Sequence, residues 1–463
     1  MFVNIDPAAV QGLTDSERRW LGELLTVYET HWQKNCEKEK YYEGKIALGD
    51  VNLGIALPEG MRGLEIGCSW GAKCVDVLAA RSMFDGFVGV DGNEVEALRT
   101  LTVDNNLVAE YNKACRDELE FGCTFATLSK ERRIGCKIRW HSPRTAAALW
   151  DGSKGRIRCG MAVIDAVPDG VAQVWSPSVV NYYTDTAIIV LTTGPRGWVA
   201  TRYPHRMGRP LMEPMIWNAT SGKPFGRSRI KWPVRHLIKG YVRTIANATI
   251  GLEFATSPQK YLMGVTDKQY DALIDQKFKQ YVGSIIAGTG NPETGEKPSF
   301  GQLPQGNIGP HVEMVRILAS QFSAATGLPV TDTGVVNDAN PTSSDAIEAQ
   351  TKTLVGLAEQ LNTDNGDSLR IIALMALAIA NNTTIESLSD EQRNIVAHFK
   401  NPAMPNVSVT ADAAIKIATA RPAFAETDTF LEMLGFSQAD VRRIKAQEQR
   451  TRGQAVLREL GIE

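Results

Sequence analysis

Apolar residues recur at helical spacing in the first part of the chain. The segment 14–45 begins with Thr14-Asp15-Ser16-Glu17, which has the residue types of a capping box. An apolar stripe follows, formed by Trp20, Leu21, Leu24, Leu25, Tyr28 and Trp32. The same spacing predicts helices over residues 71–80 and 94–119.

The pattern of apolar and turn-forming residues changes between residues 121 and 217. Short runs rich in β-branched and aromatic residues occur at 136–140, 187–191 and 197–200, and Gly, Pro and Asp separate them. Short apolar runs bounded by turn residues are typical of antiparallel strands. We therefore predict an antiparallel sheet here and, with the flanking helices, an α+β fold.

Two further helices are predicted at 231–256 and 309–326. The first begins near Pro233, which suits a first helical position, and the second ends before Gly327 and Pro329. Between them, 257–304 reads as strand, helix and strand followed by a polar loop at 288–298. The sequence thus predicts a helix–insert–helix unit.

The first of these helices has an apolar face and a basic face. The apolar face comprises Val234, Leu237, Ile238, Tyr241, Ile245 and Ala248. Arg235, Lys239 and Arg243 recur every four residues elsewhere on the helix. This basic stripe is either an ordinary solvated face or a surface for a neighbour's acidic groups or a polyanion.

A polar segment follows Pro329 and precedes a long helix. Asn340-Pro341 disfavours helix, and Thr342 or Ser343 can then cap a helix with Asp345 in its first turn. We predict that Asn365-Gly366 breaks or kinks this helix before it resumes at 368–380.

Composition narrows the classes of protein. The chain has 463 residues, 43% of them hydrophobic, so more than one domain is expected. The net charge of −2 argues against static binding of nucleic acid, but not against letting DNA pass. The longest apolar run, 371–380, is about half of the ~20 residues that span a bilayer. We expect no membrane segment and no secretion signal.

The cysteines and histidines give no metal-binding pattern. All seven cysteines lie in roughly the first third of the chain without a Cys-x-x-Cys pair, and the six histidines are scattered. This usage predicts reduced thiols in a cytosolic setting and no structural zinc. No cofactor is expected.

The segment GLEIGCSWGAKC, residues 63–74, has three interpretations. Gly67-Cys-Ser-Trp-Gly71 fits the nucleophile elbow of an α/β-hydrolase, with Ser69 as nucleophile. Together with Glu65 and Asp91 the segment also fits the cofactor loop of a SAM-dependent methyltransferase, although Ser69 stands where a central glycine is usual. The third interpretation is a turn before an ordinary helix, which the helical residues upstream favour.

Several segments together resemble the portal proteins of tailed bacteriophages, of the type found in actinobacteriophages. The similar segments are Tyr41-Tyr-Glu-Gly44, Trp70 with Val75-Asp-Val-Leu-Ala-Ala-Arg81 and Gly86-Phe87, Gly208-Arg-Pro210, Pro224-Phe-Gly-Arg-Ser-Arg-Ile230, Ser257-Pro-Gln-Lys-Tyr-Leu-Met263, Ala325-Thr-Gly-Leu-Pro329, Asn340-Pro-Thr-Ser-Ser-Asp-Ala-Ile347, Ala411-Asp-Ala-Ala-Ile-Lys416 and Leu434-Gly-Phe436. The glycine- and cysteine-rich stretch 63–71 departs from the family, whose members are more apolar there.

The resemblance implies a ring of about twelve subunits around a DNA channel at one capsid vertex. Its parts would be a wing (1–228), a stem helix (229–256), a clip (257–304), a second stem helix (305–329), a tunnel loop (330–343), a long kinked helix (344–381), and a C-terminal wing return and crown (382–463). Such a protein is a structural component of the virion rather than an enzyme, and it is assembled in the host cytoplasm.

The resemblance also implies partners and a site. The partners would be further copies of the chain, double-stranded DNA passing through the channel, the terminase large subunit, the major capsid protein and a head-tail adaptor protein. The tunnel loop would present Thr331, Asp332, Thr333, Asn337, Asp338 and Asn340 to the DNA. Arg235, Lys239 and Arg243 would line the channel or pair with the adjacent stem.

Overall fold

The computed structural model defines most of the chain. It describes residue 3 and residues 5–46, 66–89, 95–168, 175–195, 197–256, 260–263, 295, 299–302, 307–335, 344–403, 407–436 and 438–459. Within these residues helices and antiparallel strands are mixed, so the α+β prediction is confirmed.

The first helices follow the sequence pattern closely. Helix α1 (Asp15–Tyr42) begins with the predicted capping box, in which the Thr14 N–H donates to Glu17 Oε2 at 2.9 Å. The Glu17 N–H donates in return to Thr14 Oγ1, so two backbone donors at the helix start are satisfied. Helix α2 (Trp70–Ala79) and strand β1 (Phe84–Gly89) come next.

The single helix predicted over 94–119 is in fact two helices. They are α3 (Glu96–Asp104) and α4 (Leu107–Phe121), separated at Asn105-Asn106. Asn106 has φ 49°, a left-handed conformation that asparagine tolerates better than most residues. The buried Asn105 amide donates to Leu101 O and Cys136 O, which holds the break against the sheet.

The predicted antiparallel region forms two sheets. Its strands are β2 (Cys123–Glu131), β3 (Gly135–His141), β4 (Ala146–Asp151), β5 (Arg156–Pro168), β6 (Trp175–Tyr183), β7 (Ala187–Gly194), β8 (Gly197–Pro204) and β9 (Met212–Ile216). Three strands pair in the order β3-β2-β9 and five in the order β4-β5-β6-β7-β8. Every neighbouring pair in the two sheets is antiparallel, as predicted.

The helix–insert–helix unit is present. Helix α5 (Trp232–Thr256) packs against α6 (Gly309–Thr326), and a Cβ on Gly240 of α5 would lie 3.2 Å from Leu318 Cδ2 of α6. Strands β10 (Lys260–Met263) and β11 (Ser299–Gln302) pair antiparallel between the two helices. The helix and second strand predicted at 267–281 and 283–286 lie outside the described residues.

Helix α7 (Ser344–Ala380) runs for 37 residues after a short 3-10 turn at Val330–Thr333. We predicted a break or kink at Asn365-Gly366, and α7 runs through both residues without a break. Asn365 is buried and its amide donates to Tyr111 Oη and Glu118 Oε2, both of α4. Asn365, which suggested a break, therefore has polar hydrogen-bond partners inside the protein.

The chain ends in short elements and helices. These are α8 (Asp390–Arg393), β12 (Ile395–Phe399), α9 (Val407–Ala420), α10 (Asp428–Met433) and α11 (Gln438–Glu459). Strand β12 returns to pair antiparallel with β1. None of the helices in the described ranges is both long and apolar enough to cross a membrane.

Two apolar cores stabilise the fold. The larger one joins α2, α4, α5, α6 and α7 to the three-stranded sheet, and the smaller one joins α1 to the five-stranded sheet. All seven cysteines are free, and all but the half-buried Cys36 are buried. The cysteines therefore contribute to packing.

Candidate functional site

Arg229 joins three segments just before α5. The residue is buried, and its Nη2 donates at 2.6 Å to the carbonyl oxygen of Thr326, the last residue of α6. Its Nε donates to Cys74 O of α2, and its guanidinium lies 5.8 Å from the Trp217 ring centroid. A helix C-terminus has unsatisfied carbonyls and a negative dipole end, so a cation there is stabilising. Burial lowers the pKa of Arg229 from its ordinary value.

Trp70, the first residue of α2, lies between the two paired helices. Its ring centroid is 4.7 Å from that of Tyr241 on α5 and 4.8 Å from that of Phe322 on α6. Its indole Nε1 donates to Thr333 O at 3.2 Å. One side chain thus contacts both helices and the turn that follows them.

The remaining residues of GCSWG have structural explanations. A Cβ on Gly71 would overlap the carbonyl oxygen of Tyr41, so glycine permits the close approach of α2 to the end of α1. Ser69, the residue before α2, is exposed. A Cβ added to Gly67 would have no other atom within 4 Å. These positions fit the interpretation of a turn leading into a helix.

The two enzyme interpretations require a parallel sheet around this motif. Strand β1, which contains Phe87 and would be the second strand of a methyltransferase sheet, pairs antiparallel with β12. Among the described strands no parallel ladder forms, and the isolated bridge Gln11–Val199 is the one parallel contact. Glu65 and Asp91 lie outside the described residues. The described strands therefore do not provide the doubly wound sheet of either enzyme.

The start of the predicted tunnel loop is a 3-10 turn. Thr331 is exposed and Asp332 is half-buried. Thr333 is buried, and its hydroxyl donates to Val330 O at 2.6 Å while its carbonyl accepts the Trp70 N–H. Of the predicted DNA-facing residues, the structure leaves Thr331 and Asp332 accessible and turns Thr333 inward. Asn337, Asp338 and Asn340 lie outside the described residues.

The predicted basic stripe is divided between different surroundings. Arg235 forms an ion pair with Glu37 of α1 and lies 5.9 Å from the Tyr41 ring centroid. Lys239 and Glu37 both line a cavity beside α1. Arg243 is exposed at a groove between α5 and α6. Arg235 is therefore occupied within its own chain, whereas Arg243 forms no ion pair with another residue in the part of the chain that the structure describes.

A buried polar network lies beside α7. The Ser82 hydroxyl bonds to Tyr111 Oη and Asn362 Oδ1, both at 2.6 Å, and Asn365 Nδ2 donates to Glu118 Oε2 at 2.8 Å. Burial raises the pKa of Glu118 to about 8, while the Asn365 hydrogen bond acts in the opposite direction. Glu118 is therefore protonated at neutral pH and holds α4 to α7 as a neutral acid.

Sequence reasoning missed Trp70 and Arg229 as joining residues. Both lie in segments that the family resemblance had singled out, Trp70 before Val75-Asp76 and Arg229 in the run ending at Ile230. Across the described residues, no cluster of three or more His, Cys, Asp or Glu side chains could hold a metal ion.

No protein-family model and no curated protein matches the chain. Chains in solved structures of gene transfer agent (GTA) particles partly resemble this one. A chain in the virion of the native GTA particle has a TM-score of 0.44 and 14% identity over 79% of this chain and 89% of that chain. A chain in the neck of the empty GTA particle, computed with C6 symmetry, has a TM-score of 0.44 and 15% identity over 77% and 86%. A third, in the neck of the native particle computed with C12 symmetry, has a TM-score of 0.42 and 13% identity over 79% and 89%. A likeness at this level does not identify the function of this chain.

Proposed function

We propose that the chain is the portal protein of a tailed bacteriophage. In this proposal about twelve copies form a ring at one capsid vertex of the virion. Double-stranded DNA is packaged through the ring by the terminase large subunit and later leaves through it. The ring also contacts the major capsid protein and the head-tail adaptor protein.

The succession of elements from α5 to α7 carries the proposal. Two packed helices are joined through an insert whose ends form a two-stranded ladder, and a short turn then leads into a 37-residue helix. This succession agrees with the stem, clip, second stem, tunnel loop and long helix that the family resemblance implies. Three of the segments on which that resemblance rests, 257–263, 325–329 and 340–347, lie in this part of the chain.

The exposed side of α6 supports assembly with further copies. Leu318 and Phe322 are buried in the chain's own core, whereas Ile317 is 45% exposed. Successive residues of a helix are turned by about 100° from each other, so Ile317 lies on a different side of α6 from Leu318. We assign this side of α6 to contact with the adjacent subunit of the ring.

The charge of the chain suits a conduit rather than a catalyst. Each phosphate contact strengthens DNA binding through counterion release, so a channel dense in basic groups would hold DNA in place. The chain has a net charge of −2, and its accessible turn residues are a threonine and an aspartate. Of the basic residues of α5, Lys239 and Arg243 are assigned to the channel or to the adjacent stem.

Cross-linking from Thr331 tests the DNA path. A photoreactive group on Thr331→Cys should cross-link to DNA in filled particles, and the same group on Thr100→Cys, an exposed position of α3, should not. Because six of the seven native cysteines are buried, labelling should be selective. Filled particles without Thr331 cross-links, or with equal cross-links from Thr100, would contradict the proposal.

Electron microscopy of the purified protein tests the assembly. We expect ring-shaped particles with a central opening and a mass many times the 50.7 kDa of one chain. A protein that stays monomeric at every concentration would count against a portal.

A further inference from the structure

Among the described residues, Trp70 is the one that hydrogen-bonds the turn Val330–Thr333 to another element. The turn's other backbone hydrogen bonds to described residues are local: Asp332 N donates to Pro329 O at 3.0 Å and Gly334 N donates to Thr331 O at 3.3 Å. Among the bonds between described residues, that from Trp70 Nε1 to Thr333 O alone links the turn to a distant segment. The Trp70 N–H therefore anchors the turn to α2, in addition to the packing of the turn against α6.

Trp70 is itself held firmly. Its ring is enclosed between Tyr241 and Phe322, so it is in contact with both α5 and α6. Behind it, Gly71 lies against the Tyr41 carbonyl, which leaves no room for α2 to move toward α1. The bonds of Arg229 to Cys74 O and Thr326 O connect α2 to the end of α6. A residue locked by packing on several sides can fix the group to which it donates.

We infer that Trp70 is a positioning residue for the turn that carries Thr331 and Asp332, and keeps this turn in a fixed position relative to α5 and α6. The inference rests on the proposed function, in which Thr331 and Asp332 face the DNA. Any displacement of the paired helices would then be passed to the turn through the indole ring and its N–H.

Trp70→Phe separates the hydrogen bond from the packing. Phenylalanine keeps an aromatic ring between Tyr241 and Phe322 but removes the indole N–H. Since the amides of Asp332 and Gly334 are bonded within the turn, their hydrogen exchange reports its opening. We expect their exchange to become roughly three- to tenfold faster, as the loss of one hydrogen bond implies. Amides in the middle of α5 and α6 should exchange at the wild-type rate.

Trp232→Phe is the matched control. It makes the same chemical change at a residue of α5 that is 67% exposed, and it should leave the turn amides unchanged. If Trp70→Phe does not fold, benzothienylalanine at position 70 replaces the N–H by sulfur at nearly constant shape. Unchanged exchange at Asp332 and Gly334 would overturn the inference. Faster exchange throughout α5 and α6 would also overturn it, because Trp70 would then act through packing alone.

A second measurement separates this inference from the proposed function. In particles that carry Thr331→Cys, adding Trp70→Phe should lower the yield of DNA cross-links severalfold. Thr331→Cys is compared with and without Trp70→Phe. If it cross-links to DNA in neither background, the proposed function fails, and the exchange result still decides the role of Trp70. An undiminished yield in the double variant would contradict the positioning role.

Discussion

Gly67 and Gly71 belong to one short motif but have different surroundings. An alanine Cβ at position 71 would overlap the backbone oxygen of Tyr41, which cannot move aside without shifting α1. At position 67 nothing lies within 4 Å of the added atom. The sequence motif treats the two glycines alike, and only the packing of α2 on α1 distinguishes them.

Gly71→Ala should therefore destabilise the protein and Gly67→Ala should not. We expect the free energy of unfolding to fall by about 1–3 kcal/mol or more for Gly71→Ala, the usual cost of overpacking. For Gly67→Ala the change should stay within about 0.5 kcal/mol. Chemical denaturation measures both, and equal effects would contradict the close approach of α2 to α1.

Glu118 makes stability depend on pH in a defined direction. Burial raises its folded pKa to about 8 from the ordinary 4.5. Between these values the folded chain keeps a proton that the unfolded chain has released. The contribution of Glu118 to stability is therefore complete below about pH 4.5 and is lost as the pH rises toward 8.

Glu118→Gln should remove this dependence, because glutamine mimics the protonated acid and can still pair with Asn365. The stability of the variant relative to wild type should rise from pH 5 to pH 8, on the order of 4 kcal/mol at most. The half-buried Asp117 and the buried Glu120 also have raised pKa values, but they are common to both proteins. Glu110→Gln, at a surface ion pair of α4, serves as control. A difference that does not change with pH would contradict a neutral Glu118.

At the scale of elements, the sequence predicted the helices whose ends carry local signals. The capping box of α1 and the Gly327 end of α6 depend on residues within one turn, so they are readable without tertiary information. The break between α3 and α4 was missed because apolar spacing continues across it. Its cause is the bond of Asn105 to Cys136 O, which only the fold brings near.

At Asn365-Gly366 we predicted a break or kink, but α7 is not broken there. Asparagine and glycine predict a break when their surroundings are assumed to be solvent. Here Asn365 is buried against Tyr111 and Glu118, and the two hydrogen bonds from its Nδ2 offset part of the cost of burial. A polar residue inside a helix is therefore ambiguous until its partners are known.

Gly366→Ala should stabilise α7. A Cβ at this position would lie 3.7 Å from Phe399 Cε2, an ordinary contact, and alanine loses less entropy than glycine in a helix. We expect a gain of about 0.5–1 kcal/mol in the free energy of unfolding. Gly327→Ala should have the opposite sign, because Gly327 has φ +73° and lies against Leu357. A destabilising Gly366→Ala would indicate that the helix is interrupted there.

At the scale of the whole molecule, the exposed side of α6 leads to a prediction about assembly. Ile317→Glu places a charge on an apolar surface that the proposed ring would bury, so rings should dissociate or fail to form while the monomer keeps its circular dichroism spectrum. Val103→Glu makes the same type of change at a residue of α3 that is 70% exposed, and it should leave assembly intact. Mass photometry distinguishes the two outcomes. Intact rings of Ile317→Glu would contradict the assigned interface.

The site was less predictable than the order of elements. Local patterns predicted the helix–insert–helix unit and the long helix that follows the polar segment after Pro329. The contact of Trp70 with Thr333 joins residues far apart in sequence, and the bond of Arg229 to Cys74 does the same. No spacing rule connects such residues. The resemblance assigned Thr333 to the tunnel loop, and the structure shows its hydroxyl bonded inside the turn.

The pairing of β1 with β12 has a consequence for synthesis. Phe84 pairs with Phe399, so the partner strand of β1 does not exist until about 300 further residues have been synthesised. At typical elongation rates this takes on the order of 15–60 s. During that interval the growing chain has an unpaired strand that chaperones or neighbouring nascent chains can contact. Among the described strands, this ladder is therefore the last that a newly made chain can complete.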